Sequence, residues 1–276
     1  MTWFLDTALV VGAIGVVSGA FVPQLVARVP EPKSEPEPSP EPAVEKGSDT
    51  REAAKDEADF ARLIDDPKEL YRDIAALPGL RPKTALVSGL AAAAIGGRLG
   101  WDAALLFLLF LVPVCVALSV VDWRTRLLPT YVIAPSYVVV AGLAVLASAV
   151  SSNWNALVLS AIGWLSTFVI FFVLWFISPR GLGYGDVRLS GVLGMALGWL
   201  GLPQLVLGMY TGFLLGGVGG LLLSLVRVFH RKHYPFGPFM VAGAFLGVAF
   251  PGELATAYGW VIDGFTDVVL AVVDAF

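Results

Sequence analysis

Residues 101–122, WDAALLFLLFLVPVCVALSVVD, decide the fold class of this chain. From Ala103 to Val121 no residue carries a charge, and a run of this length can cross the apolar core of a bilayer as a helix. The run then ends on Asp122, an acid at the depth where burial of charge becomes costly. The stretch therefore predicts a transmembrane helix with a carboxylate at one end.

The remaining sequence repeats this apolar pattern. Of the 276 residues, 57% are hydrophobic and 14% are charged, whereas a soluble domain has about 25% charged residues. This composition excludes a soluble globular protein, a disordered chain and a disulfide scaffold. We expect an all-α polytopic membrane protein, a bundle of about eight transmembrane helices. The predicted spans are Trp3–Val29, Thr84–Arg98, Trp101–Val121, Tyr131–Val150, Trp154–Ile177, Val187–Leu200, Pro203–Val228 and Pro238–Phe250.

The composition changes abruptly between the first and second predicted spans. Residues 30–42 read PEPKSEPEPSPEP, which predicts an extended, solvated linker, and residues 51–76 are compatible with short amphipathic helices. We therefore divide the chain into a first transmembrane anchor (1–29), an acidic Pro/Glu-rich insert (30–83), the main transmembrane bundle (84–250) and an amphipathic tail at the outer surface (251–276).

The basic residues predict the orientation in the membrane. With the N-terminus outside, every one of the 18 Lys and Arg residues except Arg98 falls on the cytoplasmic side. The sequence thus predicts a multi-pass protein of the inner (cytoplasmic) membrane, with the acidic insert in the cytoplasm.

Two acidic residues need a further explanation. Outside the insert, Asp122 and Asp186 are the acids predicted to lie at cytoplasmic ends of spans, because the others fall on the outer side. One interpretation is a pair of interfacial ion pairs with the neighbouring arginines at 124, 126 and 188. The other is aspartyl peptide hydrolysis, because two carboxyl groups that share one site do not both ionise. The ionised group can then take a proton from the attacking water while the protonated one donates to the scissile carbonyl.

The second aspartate follows a glycine-rich turn. Residues 181–186 read GLGYGD, and the three glycines let the backbone bend and approach another chain closely. At a membrane boundary, such a turn favours recognition of an extended peptide by its backbone.

Four sequence elements together resemble the type IV prepilin peptidases, which belong to the GxGD aspartyl membrane proteases. They are GYGD at 183–186, DWRTRLLP at 122–129, PFGPF at 235–239 and, as a weaker match, GAF at 19–21 with RVP at 28–30. The resemblance implies that Asp122 and Asp186 form the catalytic pair. It also implies substrate-binding or supporting roles for Gly183, Gly185, Arg188, Pro129, Pro235, Gly237 and Pro238.

The same resemblance implies a function. It implies an aspartyl endopeptidase that removes the basic leader of prepilins or pseudopilins at the cytoplasmic face, with the bilayer as its environment and no nucleic acid partner. Proteolysis of this kind needs no cofactor. Many members of the family also carry two zinc-binding CxxC pairs and methylate the product with S-adenosylmethionine, but Cys115 is the only cysteine here. We therefore expect no zinc or other metal site, and S-adenosylmethionine would be needed only if the methyltransferase activity is present.

Two other functions use the same residues differently. A proton-coupled transporter would use both aspartates as a relay, although we find neither internal repeats nor carboxylates at the midplane. A catalytically idle assembly protein would not need them at all.

Overall fold

The structure is a computed structural model that describes residues 3–31, 69–178, 181–225 and 235–259, with the backbone alone for 220–225. All regular secondary structure in these ranges is helical, which confirms the predicted all-α class. Most of the acidic insert, residues 32–68, and the tail from residue 260 lie outside the described residues. The helices are α1 (Leu5–Gly19), α2 (Val22–Ala27), α3 (Tyr71–Ala75), α4 (Leu80–Leu99), α5 (Leu105–Thr125), α6 (Thr130–Ser151), α7 (Trp154–Ile177), α8 (Tyr184–Leu200), α9 (Leu202–Leu225), α10 (Gly237–Ala249) and α11 (Pro251–Ala257).

Several of these helices can cross a membrane. Five described segments are long and apolar enough, and a sixth is added if α10 and α11, which are bent by 105° relative to each other, count as one broken span. Helix α8 has only 17 residues, and α4 is rich in Ala and Gly. The chain is therefore a multi-pass membrane protein, while the total of eight spans stays a prediction. The five segments are Leu5–Ala27, Leu105–Thr125, Thr130–Ser151, Trp154–Ile177 and Leu202–Gly219.

Helix α5 lies at the centre of the bundle. In the most apolar 18-residue stretch of α5, 67% is buried, whereas the buried share is 22–33% in the corresponding stretches of the other four candidate spans. The share is high in α5 because α1, α4, α6 and α10 all pack around it. Phe107 and Leu111 are fully buried, and the ring of Phe107 meets that of Trp199 edge-on at 5.4 Å. The central position of α5 fixes where Asp122, near its C-terminal end, lies.

Helix α8 is held against α7 by small residues and hydrogen bonds. A side chain at Gly163 of α7 would collide with the Gly194 carbonyl of α8, so the two backbones are in close contact. The Thr167 hydroxyl also donates to the Ser190 carbonyl at 3.0 Å. This packing anchors the helix whose first turn carries Asp186.

Two glutamates of the acidic insert form hydrogen bonds with described helices. The Glu31 carboxylate accepts the backbone N–H groups of Tyr71 and Arg72, at 2.9 and 3.2 Å, where α3 begins. Glu69 binds the Arg124 guanidinium through both carboxylate oxygens, at 2.6 and 2.7 Å. These contacts hold Glu31 at the start of α3 and Glu69 at the last turn of α5.

Candidate active site

Asp122 is buried at the C-terminal end of α5. Its side chain is 4% exposed, and its Oδ2 accepts the backbone N–H of Gly237, the first residue of α10, at 2.9 Å. A Cβ at Gly237 would lie 2.8 Å from the same oxygen, which is closer than real Cβ contacts come. A side chain at position 237 would therefore displace either this carboxylate or the start of α10.

The chain turns sharply after Asp122. Arg126 adopts the left-handed conformation, with φ 55°, and its N–H donates to the Asp122 carbonyl at 2.8 Å. This C-cap ends α5 four residues after the aspartate. Pro129 is then the extended residue before the first turn of α6, where a missing N–H breaks no helical hydrogen bond.

Asp186 lies in the first turn of α8. Its Oδ2 accepts the backbone N–H of Gly183, the residue that precedes the helix, at 3.0 Å. An acid is favoured in this turn because the N-terminal N–H groups of a helix are otherwise unpaired. The other carboxylate oxygen, Oδ1, is buried and has no hydrogen-bond partner among the described residues. Asp186 is 7% exposed.

The two aspartate-bearing elements contact each other directly. A Cβ at Gly185 would lie 2.7 Å from the Cβ of Leu128, so the glycine turn packs against the segment after Asp122. The Arg188 side chain donates to the Thr130 hydroxyl at the start of α6. The two carboxylates lie close enough to interact electrostatically. Elements that are 64 residues apart in sequence thus meet at one end of the bundle.

Two of the arginines near the aspartates, Arg124 and Arg188, contact other groups. Arg124 forms its ion pair with Glu69, and the Arg188 guanidinium lies over the Tyr184 ring, 4.6 Å from the ring centre. The polar contact to each aspartate described above comes instead from a glycine N–H. The geometry therefore favours a site with two carboxylates over two ion pairs at the surface.

The remaining candidate residues surround the same end of the bundle. Pro238 occupies the first turn of α10, and Pro235, just before it, is buried. Sequence reasoning missed Tyr137, whose hydroxyl donates to the Arg188 carbonyl at 2.6 Å, and it missed the role of Thr130 as the acceptor for Arg188. Nothing local in the sequence marks Tyr137, because this contact joins residues 51 positions apart.

No cluster with the composition of a metal site is found among the described residues. Within residues 3–31, 69–178, 181–225 and 235–259, no three His, Cys, Asp or Glu side chains are grouped so that they could hold a metal ion.

Comparison with known proteins gives a family match for part of the chain. Residues 109–225, which contain both aspartates, match the model of the type IV leader peptidase family, so this stretch is similar to that family. The match confirms the resemblance carried by the GYGD and DWRTRLLP elements, which lie inside it, whereas PFGPF at 235–239 lies outside the matched range.

Curated proteins are similar to the greater part of this chain. A prepilin leader peptidase/N-methyltransferase from Burkholderia pseudomallei is 33% identical over 169 residues, 59% of this chain and 52% of the relative. Proteins of the same name from Dickeya chrysanthemi (34% identical; 60% of this chain, 58% of the relative) and Aeromonas hydrophila (29%; 64% and 60%) are also similar. The chain thus spans a little over half the length of these relatives. No solved structure gives a significant match.

Proposed function

We propose that this chain is a membrane-embedded aspartyl endopeptidase, in which Asp122 and Asp186 together activate a water molecule. The proposal rests on one observation, which is that the two acids are held in the same way. Each carboxylate is buried, and each is fixed through Oδ2 by the backbone N–H of one glycine. With Oδ2 of Asp186 held, its Oδ1, which has no hydrogen-bond partner among the described residues, remains for water and substrate.

The reaction follows from two carboxyl groups that share one proton. The ionised group takes a proton from water as the water oxygen bonds to the scissile carbonyl carbon. The protonated group donates to the carbonyl oxygen, giving a tetrahedral intermediate. The roles then reverse: a proton passes to the amide nitrogen as the C–N bond breaks, and both products leave.

The other candidate residues support this chemistry. Gly183 and Gly237 hold the two carboxylates, and Gly185 allows the second aspartate's turn to pack against Leu128. Arg188, by bridging to Thr130, ties α8 to the start of α6 and so holds the two halves of the site together. The three prolines, at 129, 235 and 238, set the direction of the chain where α6 and α10 begin.

The substrates that we propose are type IV prepilins or pseudopilins with a basic leader. This rests on the names of the relatives, which are prepilin leader peptidases, and on the match of the family model across both aspartates. The distribution of Lys and Arg supports an outer N-terminus and a cytoplasmic active site in the inner membrane, on the same side as a basic leader. Proteolysis by this pair of acids requires no cofactor.

The test is a cleavage assay on the purified chain in detergent with a prepilin-like substrate. Asp122→Asn and Asp186→Asn are each expected to lose at least about 10³-fold in kcat, because an amide neither takes nor holds the shared proton. Asp102→Asn, at the opposite end of α5, is the matched control, since Asn can replace the Asp102 carboxylate that caps the Ala104 N–H at 2.7 Å. Cleavage that persists in either active-site variant with a native melting temperature would refute the paired mechanism.

The names of the relatives favour a second function to be tested in the same assay. They include N-methyltransferase activity, which uses S-adenosylmethionine in the family. Mass spectrometry of the new N-terminus, with S-adenosylmethionine present, separates the alternatives: a gain of about 14 Da, the mass of one methylene, shows methylation, and an unmodified amine shows proteolysis alone.

A further inference from the structure

A small cavity opens beside the two aspartates. It has a volume of about 180 Å³ and lies between the C-terminal end of α7, the glycine turn and α9. Its walls include Ser178, Gly181, Leu182, Phe213, Gly217 and Phe236. We refer to it as the flanking pocket.

The flanking pocket adjoins the backbone that holds each carboxylate. Leu182 immediately precedes Gly183, whose N–H binds Asp186. Phe236 immediately precedes Gly237, whose N–H binds Asp122. Two residues that line the cavity are therefore the immediate neighbours in sequence of the two glycines that bind the aspartates.

The lining is mainly apolar and includes two aromatic rings. Phe213 and Phe236 meet edge-on with ring centres 5.7 Å apart, and Phe171 packs behind them, 6.1 Å from Phe236. A volume of about 180 Å³ is well below the roughly 300–1,000 Å³ of sites that bind whole small molecules. The pocket has the size and chemistry for a single apolar side chain.

We propose that the flanking pocket is a specificity subsite, which receives one apolar side chain of a substrate residue next to the scissile bond. The proposal rests on the proposed function, because the substrate must be a peptide cleaved between Asp122 and Asp186. Burial of that side chain removes apolar surface from water and fixes the register of the peptide over the two acids.

Gly217 sets the size of the subsite. It lies one helical turn after Phe213 on α9, so the two residues share a face, and a Cβ at position 217 would meet no atom within 4 Å. Because Gly217 lines the pocket and has open space around it, we expect a larger residue there to narrow the pocket without displacing its neighbours. Gly142 on α6, where a Cβ also meets nothing within 4 Å, is the matched position away from the site.

The experiment measures kcat/KM for two prepilin-like peptide series, in which the residue on either side of the scissile bond is Phe, Leu or Ala. In one of the series, Gly217→Leu is expected to lower kcat/KM for the large side chains by about 10- to 200-fold while changing the Ala peptide little. Gly217→Ala is expected to give a smaller shift in the same direction. Gly142→Leu is expected to leave the preference for large over small side chains unchanged.

Three results separate this proposal from the proposed function. An unchanged preference in both Gly217 variants, with cleavage still abolished by Asp186→Asn, would overturn the subsite and leave the peptidase intact. An equal loss for all peptides in Gly217→Leu and Gly142→Leu would also overturn the subsite, because it would reflect helix packing. Cleavage by Asp186→Asn would overturn the proposed function itself, and the subsite with it.

Discussion

The contact between Gly237 and Asp122 allows a quantitative test of the site. Alanine at position 237 would place a Cβ 2.8 Å from Asp122 Oδ2 and 3.3 Å from its Cγ. An ordinary contact begins near 3.4 Å, so the carboxylate or the start of α10 must move by about 0.6 Å. The carboxylate is buried beneath α10 and has little room to move, so the displacement changes the geometry at the reacting atoms.

The expected effect of Gly237→Ala is a loss of catalysis without a loss of folding. A misplacement of about 1 Å costs roughly 100-fold in rate, so we expect kcat to fall by about 10- to 100-fold. This corresponds to roughly 1.4–2.7 kcal/mol of transition-state stabilisation. Gly183→Ala should lose less, because its Cβ would lie 3.1 Å from Asp186 Oδ2 and needs a smaller movement.

The assay is single-turnover cleavage of a prepilin-like peptide, with the melting temperature of each variant measured in the same detergent. Gly142→Ala is the control, because its Cβ enters open space and alanine favours a helix by about 0.5–1 kcal/mol over glycine. Full activity in a folded Gly237→Ala protein would refute the reasoning that close backbone approach positions Asp122. A greater loss in Gly183→Ala than in Gly237→Ala would refute the ranking drawn from the two distances.

Two further predictions concern pH and stability. If one proton is shared by Asp122 and Asp186, kcat/KM should follow a bell-shaped pH curve. It should fall in acid as the ionised group is protonated and in base as the protonated group ionises. A flat profile in the pH range where the protein stays folded would contradict the shared proton. The Trp199 indole N–H on α8 donates to the Ser148 hydroxyl on α6 at 2.8 Å. A double-mutant cycle with Trp199→Phe and Ser148→Ala, measured by unfolding in mixed micelles, should give a coupling free energy of about 0.6 kcal/mol and at most about 1.7 kcal/mol. A coupling of zero would show that this hydrogen bond adds nothing to helix packing.

Much of the helical architecture could be predicted from hydropathy. The span predicted at Trp154–Ile177 coincides with α7, and the predicted Tyr131–Val150 span differs from α6 by one residue at each end. Local sequence is sufficient there because a membrane helix satisfies its backbone within one segment. Helix α8 begins three residues before its predicted start at Val187, so Asp186 lies inside its first turn and can accept the N–H of Gly183.

The contacts that build the site could not be predicted in the same way. The hydrogen bond from Gly237 to Asp122 joins residues 115 positions apart, and that from Arg124 to Glu69 joins residues 55 apart. No helical or strand periodicity links the two residues of either contact. For Arg124, the sequence instead suggests Asp122, which is only two residues away, as the partner. The family resemblance marked Gly237 as important, but only the structure gives the physical reason: a backbone N–H must reach a buried oxygen.

The anchoring of the two acids gives a physical reason for glycine at positions 183 and 237 of this chain. A peptidase with two carboxylates must hold both acids in fixed positions while leaving one oxygen of each available to water and substrate. A side-chain donor such as arginine would fix the acid but also bring a positive charge and occupy space over the reacting atoms. A backbone N–H that approaches through glycine supplies one hydrogen bond with little bulk, and the chain does this twice, from the start of α10 to Asp122 and from the start of α8 to Asp186. We therefore expect added bulk at Gly183 or Gly237 to damage catalysis more than loss of the Arg124–Glu69 ion pair, which is exposed and contributes at most about 1 kcal/mol to stability.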